Sequence, residues 1–239
     1  MKETPEPYPT PEESIATMVT IADTALVFEG GGMRNAYTAA LVSRLIAEGI
    51  NFPHISGVSA GSSHLCNFTP RDAPRPPDTF VDLVEDPEFG GLKHFRKGHG
   101  YFNAEYIYQQ ICYPDGALPF NMATFLANPA LTRVATFTPS RGEERWFAKE
   151  EMSTLDTLGP IIRASSTLPI LMPPVEIDGQ RSVFEKREDD RPPVAGRHRI
   201  GRIDRRLLLL EQRDHNLAIL GDSGRRYEKS RAEANFFAL

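Results

Sequence analysis

Apolar positions recur along this chain with two different periods. Thr24-Ala25-Leu26-Val27-Phe28 is an unbroken run of apolar and β-favouring residues, the pattern of a buried strand. Ala36, Ala39, Ala40, Val42, Leu45 and Ile46 then recur at helical spacing and stop near Glu48-Gly49, with glycine in the usual C-cap place. His54-Ile55-Ser56-Gly57-Val58 is short and partly apolar, as a buried strand end would be, and Ala60, Ser62, Leu65 and Cys66 suit a helix packed against a sheet. Prolines at 70, 74, 76 and 77 mark a loop leaving that helix. The stretch from Phe80 to Phe102 mixes charges with aromatics; Phe95, Tyr101 and Phe102 are candidates to line an apolar pocket, with surface turns and a few core anchors as the alternative. Short helices are predicted over 104–112 and 122–127, and strands over 131–137 and 145–148 joined by the polar turn 139–142. A helix is predicted over 155–166, with Pro160 in its first turn and its end before Pro169. Strands alternating with helices predict an α/β fold around a mainly parallel sheet.

Two turns within this pattern carry chemistry. Gly57-Val58-Ser59-Ala60-Gly61 has the form G-x-S-x-G, in which a serine on a tight strand-to-helix turn has its Oγ pushed out of the fold. Gly57 and Gly61 suit it because a Cβ at either place would collide with neighbouring backbone. The second turn, Glu29-Gly30-Gly31-Gly32-Met33-Arg34, joins the first strand to its helix. Successive glycines let backbone N–H groups point at one spot, and the helix N-terminus adds partial positive charge there. Such a nest serves a phosphate or a developing oxyanion. A dinucleotide fingerprint needs a glycine where Asn35 stands, and a Walker A loop needs Gly-Lys-Ser/Thr where Met33-Arg34-Asn35 stands. Acyl transfer therefore fits better than nucleotide binding, with the nest supplying an oxyanion hole and the elbow supplying Ser59.

Together these turns resemble the patatin-like phospholipases, in particular their small bacterial branch. Ile162-Arg163-Ala164-Ser165-Ser166-Thr167-Leu168-Pro169 is similar to the Ala-Ser-x-x-x-Pro segment before that family's last catalytic motif, and Asp86-Pro87, Gly90-Gly91-Leu92 and Tyr101-Phe102-Asn103 are similar to its middle region. The resemblance covers about residues 24 to 180. It implies a patatin-like three-layer α/β sandwich with helices on both sheet faces, incomplete at the C-terminal end. It also implies a lipid acyl hydrolase without a cofactor, working through an acyl-enzyme on Ser59 with Gly30, Gly31, Gly32, Met33 and Arg34 as the oxyanion loop. Arg34 is expected to brace the loop or pair with a carboxylate, a headgroup contact being the alternative.

One departure matters for the chemistry. The family pairs its serine with an aspartate in an Asp-Gly-Gly or Asp-Gly-Ala turn, due here at about residues 183 to 187, where the chain reads Val183-Phe184-Glu185-Lys186-Arg187. Asp178-Gly179 is the one Asp-Gly after the Ala-Ser segment. Asp178 is thus the candidate catalytic partner by resemblance, while its spacing reads more readily as a hairpin turn. His64 follows Ser59 by five residues, which on a helix turns it about 140° away and argues against a Ser–His pair.

Composition adds boundaries. At 239 residues, 40% hydrophobic and 25% charged, the chain has room for one domain with a sizeable core. Its formal charge of −5 argues against general affinity for nucleic acid. Cys66 and Cys112 make no disulfide framework, Cys66 reading as a core thiol, and the histidines show no metal spacing. Residues 1–22, with prolines at 5, 7, 9 and 11, are expected to be a disordered tail, followed by the acyl hydrolase domain over 23–180. Neither a secretory signal nor an 18-residue apolar stretch is present, which places the chain in the cytoplasm by default, with a lipid or ester substrate, no transmembrane segment, and room for peripheral membrane contact. Residues 181–239 hold 12 Arg and 2 Lys against 10 acidic residues, a balance of 14 − 10 = +4, so the first 180 carry −5 − 4 = −9. That basic segment reads as a partner- or headgroup-binding tail, a solvated helical end, or sequence introduced by a frameshift, the last favoured because the resemblance stops where the aspartate is due. Leu207–Leu210 is too short to restore a sheet layer. A catalytically impaired relative that keeps the fold is the alternative to an active hydrolase, and a nucleotide-binding module a more distant one.

Overall fold

The structure, a computed structural model, describes residues 9–98, 100–139, 142–168, 170–182 and 217–220. Helix α1 (Pro11–Thr17) comes first, where a disordered tail was expected. Thr10 caps it: the Glu13 amide donates to Thr10 Oγ1 at 3.3 Å and the Thr10 amide to Glu13 Oε2 at 2.9 Å. This reciprocal capping box, with Pro11 at the first helical position where its missing N–H costs nothing, explains why a helix starts here despite the prolines. Strand β1 (Val19–Thr20) follows, then β2 (Ala25–Phe28), α2 (Ala36–Ala47), β3 (Ile50–Asn51), β4 (His54–Val58) and α3 (Ala60–Phe68). Four short helices, α4 (Arg75–Phe80), α5 (Leu92–Arg96), α6 (Ala104–Tyr108) and α7 (Met122–Ala127), lead to β5 (Leu131–Thr138) and β6 (Glu143–Ala148). Helix α8 (Leu155–Ser166), the hairpin of β7 (Val175–Ile177) and β8 (Gln180–Ser182), and β9 (Leu217–Leu220) complete the described elements.

The main sheet has the order β6-β5-β4-β2-β9. Its centre is parallel, β2 pairing with β4 and β4 with β5, and β6 and β9 close its edges in antiparallel pairing. This is the expected mixed α/β arrangement. Strand β9 lies beyond the point where the resemblance was expected to end, so residues of the basic segment do extend the sheet. Leu207–Leu210, the due position of the aspartate turn and most of that segment fall outside the described residues.

Of the parallel strands, β2 reads as a continuous apolar run, as a strand covered on both faces does, while β4 and β5 mix apolar and polar positions. Leu26, Phe28, Ile55 and Val134 from the sheet pack with Val42 and Ile46 of α2, Leu65 and Phe68 of α3, and Ile161 and Ile162 of α8. Burial of such a side chain stabilises by about 1.5–3 kcal/mol. Thr154 caps α8, so the helix starts at Leu155 and Pro160 sits inside it rather than in its first turn.

A buried cation ties α2 to β3. Arg71, fully buried, donates from Nη1 to the Ile50 carbonyl at 2.8 Å and from Nη2 to those of Ile46 at 3.1 Å and Leu45 at 3.4 Å. Its guanidinium lies 4.7 Å from the Phe68 ring centroid. The carbonyl end of a helix favours a cation, which offsets part of the cost of burial; that burial lowers the Arg71 pKa to about 10.

Candidate active site

Ser59 stands between β4 and α3 with φ 54° and ψ −133°, a left-handed conformation rare for a residue with a Cβ. Such strain needs support from all sides, and the structure supplies it. A Cβ on Gly57 would lie 2.7 Å from the Gly61 carbonyl oxygen, and one on Gly61 only 2.2 Å from that of Phe28. The elbow therefore closes directly onto the end of β2, and glycine is required by space at both places. Ser62 donates from its amide at 2.8 Å and its hydroxyl at 2.5 Å to the Ser59 carbonyl. The Ser59 amide donates to Ser165 Oγ at 2.8 Å, which brings the Ala-Ser segment of α8 against the turn.

The glycine turn lies beside this serine. A Cβ on Gly30 would come within 2.9 Å of Ser59 Cβ, so the two turns touch. Gly31 is at φ 178° and Gly32 at φ +55°, after which Gly32–Asn35 forms a single 3₁₀ turn running into α2. The first amides of a helical turn have no partner within it, so those of Gly32 and Met33 face outward from its start. Arg34 folds back on this loop, its Nε donating at 3.5 Å to the Gly31 carbonyl, in keeping with bracing.

His64 lies beneath the loop. Its Nε2 donates to the Asn35 carbonyl at 2.9 Å and its ring stacks on Phe80 with centroids 4.2 Å apart. Burial pushes its pKa down to about 4, so it is neutral and holds the far end of the 3₁₀ turn. Asp178 is elsewhere in character. It and Gly179 both have positive φ, 53° and 72°, and form the two-residue loop between β7 and β8. This is the primed turn that an Asp-Gly pair favours. Its Oδ2 accepts from Arg145 Nη1 at 2.8 Å and its side chain is 69% exposed.

Ser59 opens onto an apolar cavity of about 290 Å³. Gly32 and Met33 stand at it beside the serine; Ser63 and Cys66 of α3, Phe80, Phe120, Leu158 and Ile162 form its walls. Of the three candidate aromatics Phe102 lines it, whereas Phe95 and Tyr101 are exposed and do not. Cys66 is a wall residue rather than a sealed core thiol, and burial raises its pKa. Among the described residues that line the cavity there is no Asp, Glu or His, and the one charged side chain is Arg75. No group of side chains able to hold a metal ion occurs among the described residues, and no described helix is long and apolar enough to cross a membrane. Of these residues, sequence reasoning missed Ser165 as a support of the elbow and Arg75 in the cavity wall; neither has a local signal, since both act across more than 40 positions of chain.

The family profile for patatin-like phospholipases matches residues 26–185. Among solved structures, VipD from Legionella pneumophila aligns with TM-score 0.40 and 10% identity, over 70% of this chain and 46% of that one. The chain thus spans less than half the length of that protein. No curated protein sequence matches. With the family profile covering the strand, both turns and the helices that hold them, the chain belongs to the patatin-like phospholipase family, a family of lipid hydrolases.

Proposed function

We propose that this chain is a serine lipid acyl hydrolase whose acyl group lies in the cavity and whose nucleophile is Ser59. The observation that carries this reading is the junction of three features at one atom: a strained serine, a glycine turn in contact with it, and an apolar cavity opening beside it. The ester carbonyl carbon meets Ser59 Oγ, and its oxygen takes up charge against the amides of Gly31, Gly32 and Met33. Each strong donor of that kind contributes about 3–4 kcal/mol to the transition state. The helix dipole of α3 favours negative charge at the same place. Ser59 loses its proton, the alcohol leaves with one, and the acyl group remains on Ser59 until water releases it as a fatty acid. The apolar lining argues against a phosphate in the glycine turn, and hence against a nucleotide module.

A second reading is favoured by Asp178. Its carboxylate is held by Arg145 on an exposed hairpin, and the described cavity lining contains no Asp, Glu or His. Loss of a positioned general base costs about 10²–10⁴-fold in rate. On this reading Ser59 acylates slowly and the protein mainly binds acyl chains.

Labelling by a fluorophosphonate probe tests both. Loss of labelling in Ser59→Ala, with Asp178→Asn labelled like the parent, is the expected result. A folded parent chain that takes no label overturns the nucleophile. Loss of label in Asp178→Asn assigns Asp178 the role of base.

A further inference from the structure

Arg75 is a buried cation on the wall of an otherwise apolar cavity. It is 6% exposed and is the first residue of α4. Its Nη1 donates to the carbonyls of Leu118 at 2.8 Å and Pro119 at 2.7 Å, its Nη2 points to Cys112 Sγ at 3.6 Å, and its Cζ lies 5.4 Å from the Phe120 ring centroid. Among the described residues no carboxylate forms an ion pair with it. Asp72, whose carboxyl accepts from the Arg75 backbone amide, and Asp78 both feel its charge without pairing with the guanidinium, and burial raises both carboxyls above their ordinary range. Buried charges are paired with few exceptions, because an unpaired one forfeits its hydration. Here Nη1 is satisfied by two carbonyls, while Nη2 has only a thiol, a weak acceptor. The guanidinium thus holds donor capacity and positive charge at a wall shared with Cys66, Cys112 and Phe120.

The place of this charge relative to Ser59 sets a length. Cys66, which lines the cavity together with Arg75, is seven positions beyond Ser59 along α3. At 1.5 Å per residue that is about 10 Å of helix. An extended alkyl chain advances about 1.25 Å per carbon, so about eight carbons bridge the two ends.

We propose that Arg75 makes the inner end of the cavity a carboxylate-accepting subsite, so that the cavity takes a medium-length chain whose far end is anionic. This rests on the reading of the cavity as an acyl pocket. An acyl ester carrying a carboxylate at its other end would place its carbonyl at Ser59 and its charge at Arg75; a free fatty acid entering carboxylate first would use the same group. Both present two oxygens to Nη2, and charge-assisted bonds of this kind are about twice as strong as neutral ones.

Displacement of the neutral dye Nile red from the full chain carrying Ser59→Ala measures this without turnover. The competitors are monomethyl octanedioate, methyl nonanoate and octanoic acid. The half-ester is expected to displace the dye at about tenfold lower concentration than methyl nonanoate, the scale of one charged hydrogen bond. That preference is lost in Arg75→Gln, which keeps a donor for the Leu118 carbonyl, and is retained in part in Arg75→Lys. Octanoic acid binding as tightly as the half-ester, with the same dependence on Arg75, supports the subsite and assigns it to the free acid. Methyl nonanoate binding as well as or better than the half-ester overturns the proposal, and this comparison requires no Arg75 variant. Fluorophosphonate labelling of the parent chain reports separately on Ser59, so failure of the hydrolase reading and failure of the subsite are distinguishable.

Discussion

Gly61→Ala is a stringent test of how the elbow is built. The added methyl would stand 2.2 Å from the Phe28 carbonyl oxygen, 2.5 Å from its carbon and 2.6 Å from the Glu29 oxygen. All three are backbone atoms of the strand end that leads into the glycine turn, so no side-chain rotation relieves the contact. Restoring ordinary separation moves the start of α3 away from β2 by roughly 1 Å. Overpacking of this kind costs about 1–3 kcal/mol, and a rigid backbone neighbour puts this case near 3. For a chain of this size that lowers Tm by about 6–12 °C. The same shift separates Ser59 from the amides of Gly31 and Gly32, and about 1 Å of misplacement costs on the order of 10²-fold in rate. Circular dichroism melts of parent and variant give the first quantity, and the fluorophosphonate labelling rate at 20 °C below the variant's midpoint gives the second. A variant that melts lower yet labels within threefold of the parent refutes the coupling between elbow and glycine turn. One that melts like the parent refutes the close approach itself.

Arg71→Met removes the donor for three carbonyls, two of them at the end of α2. Ile46 keeps a second donor in the Gly49 amide, so two acceptors are orphaned at about 1–3 kcal/mol each, and urea unfolding followed by the sole tryptophan, Trp146, is expected to show a loss of about 3 kcal/mol. A loss below about 1 kcal/mol would mean that the cost of burying the charge had cancelled its bonds. His64 gives a pH dependence of definite sign. Its folded pKa, about 4, lies below the ordinary 6.5, so between these values the unfolded chain binds more protons. Its contribution is fully present above pH 6.5 and is lost as pH falls through 6.5 toward 4, reaching about 3 kcal/mol. Thermal midpoints at pH 7 and 4.5 are expected to differ less in His64→Gln than in the parent; an unchanged difference would remove His64 as its source.

Both turns at the candidate site were legible in the sequence because each is set locally. Between an apolar run and a helical one, three consecutive glycines and G-x-S-x-G mark places where the chain takes backbone angles or close approaches that a Cβ would forbid. The Asp178-Gly179 hairpin was legible for the same reason, since its left-handed pair belongs to the dipeptide itself. Helix α1 was missed although its Thr10-x-x-Glu13 box is a local signal: four alternating prolines dominated the reading. The cavity was not legible, because its walls come from residues 32 to 172 and only tertiary packing decides which aromatic faces inward. Phe95 and Tyr101, candidates for it alongside a surface alternative, are exposed, while Phe102, next in sequence to Tyr101, lines it. Strand β9 was missed because four apolar residues specify a strand only once β2 offers an edge to pair with.

That edge has a consequence for how the molecule is made. Ala25 pairs with Leu220, about two hundred positions away, so β2 acquires this neighbour only after that length of chain has left the ribosome. Until then the strand that ends in the glycine turn presents a row of open amides and carbonyls on one side. Contacts of such long range form slowly, because the loop must close before they stabilise anything. The nascent chain therefore holds its candidate catalytic turn on an unsatisfied template, open to pairing with a neighbouring polypeptide, until β9 has emerged.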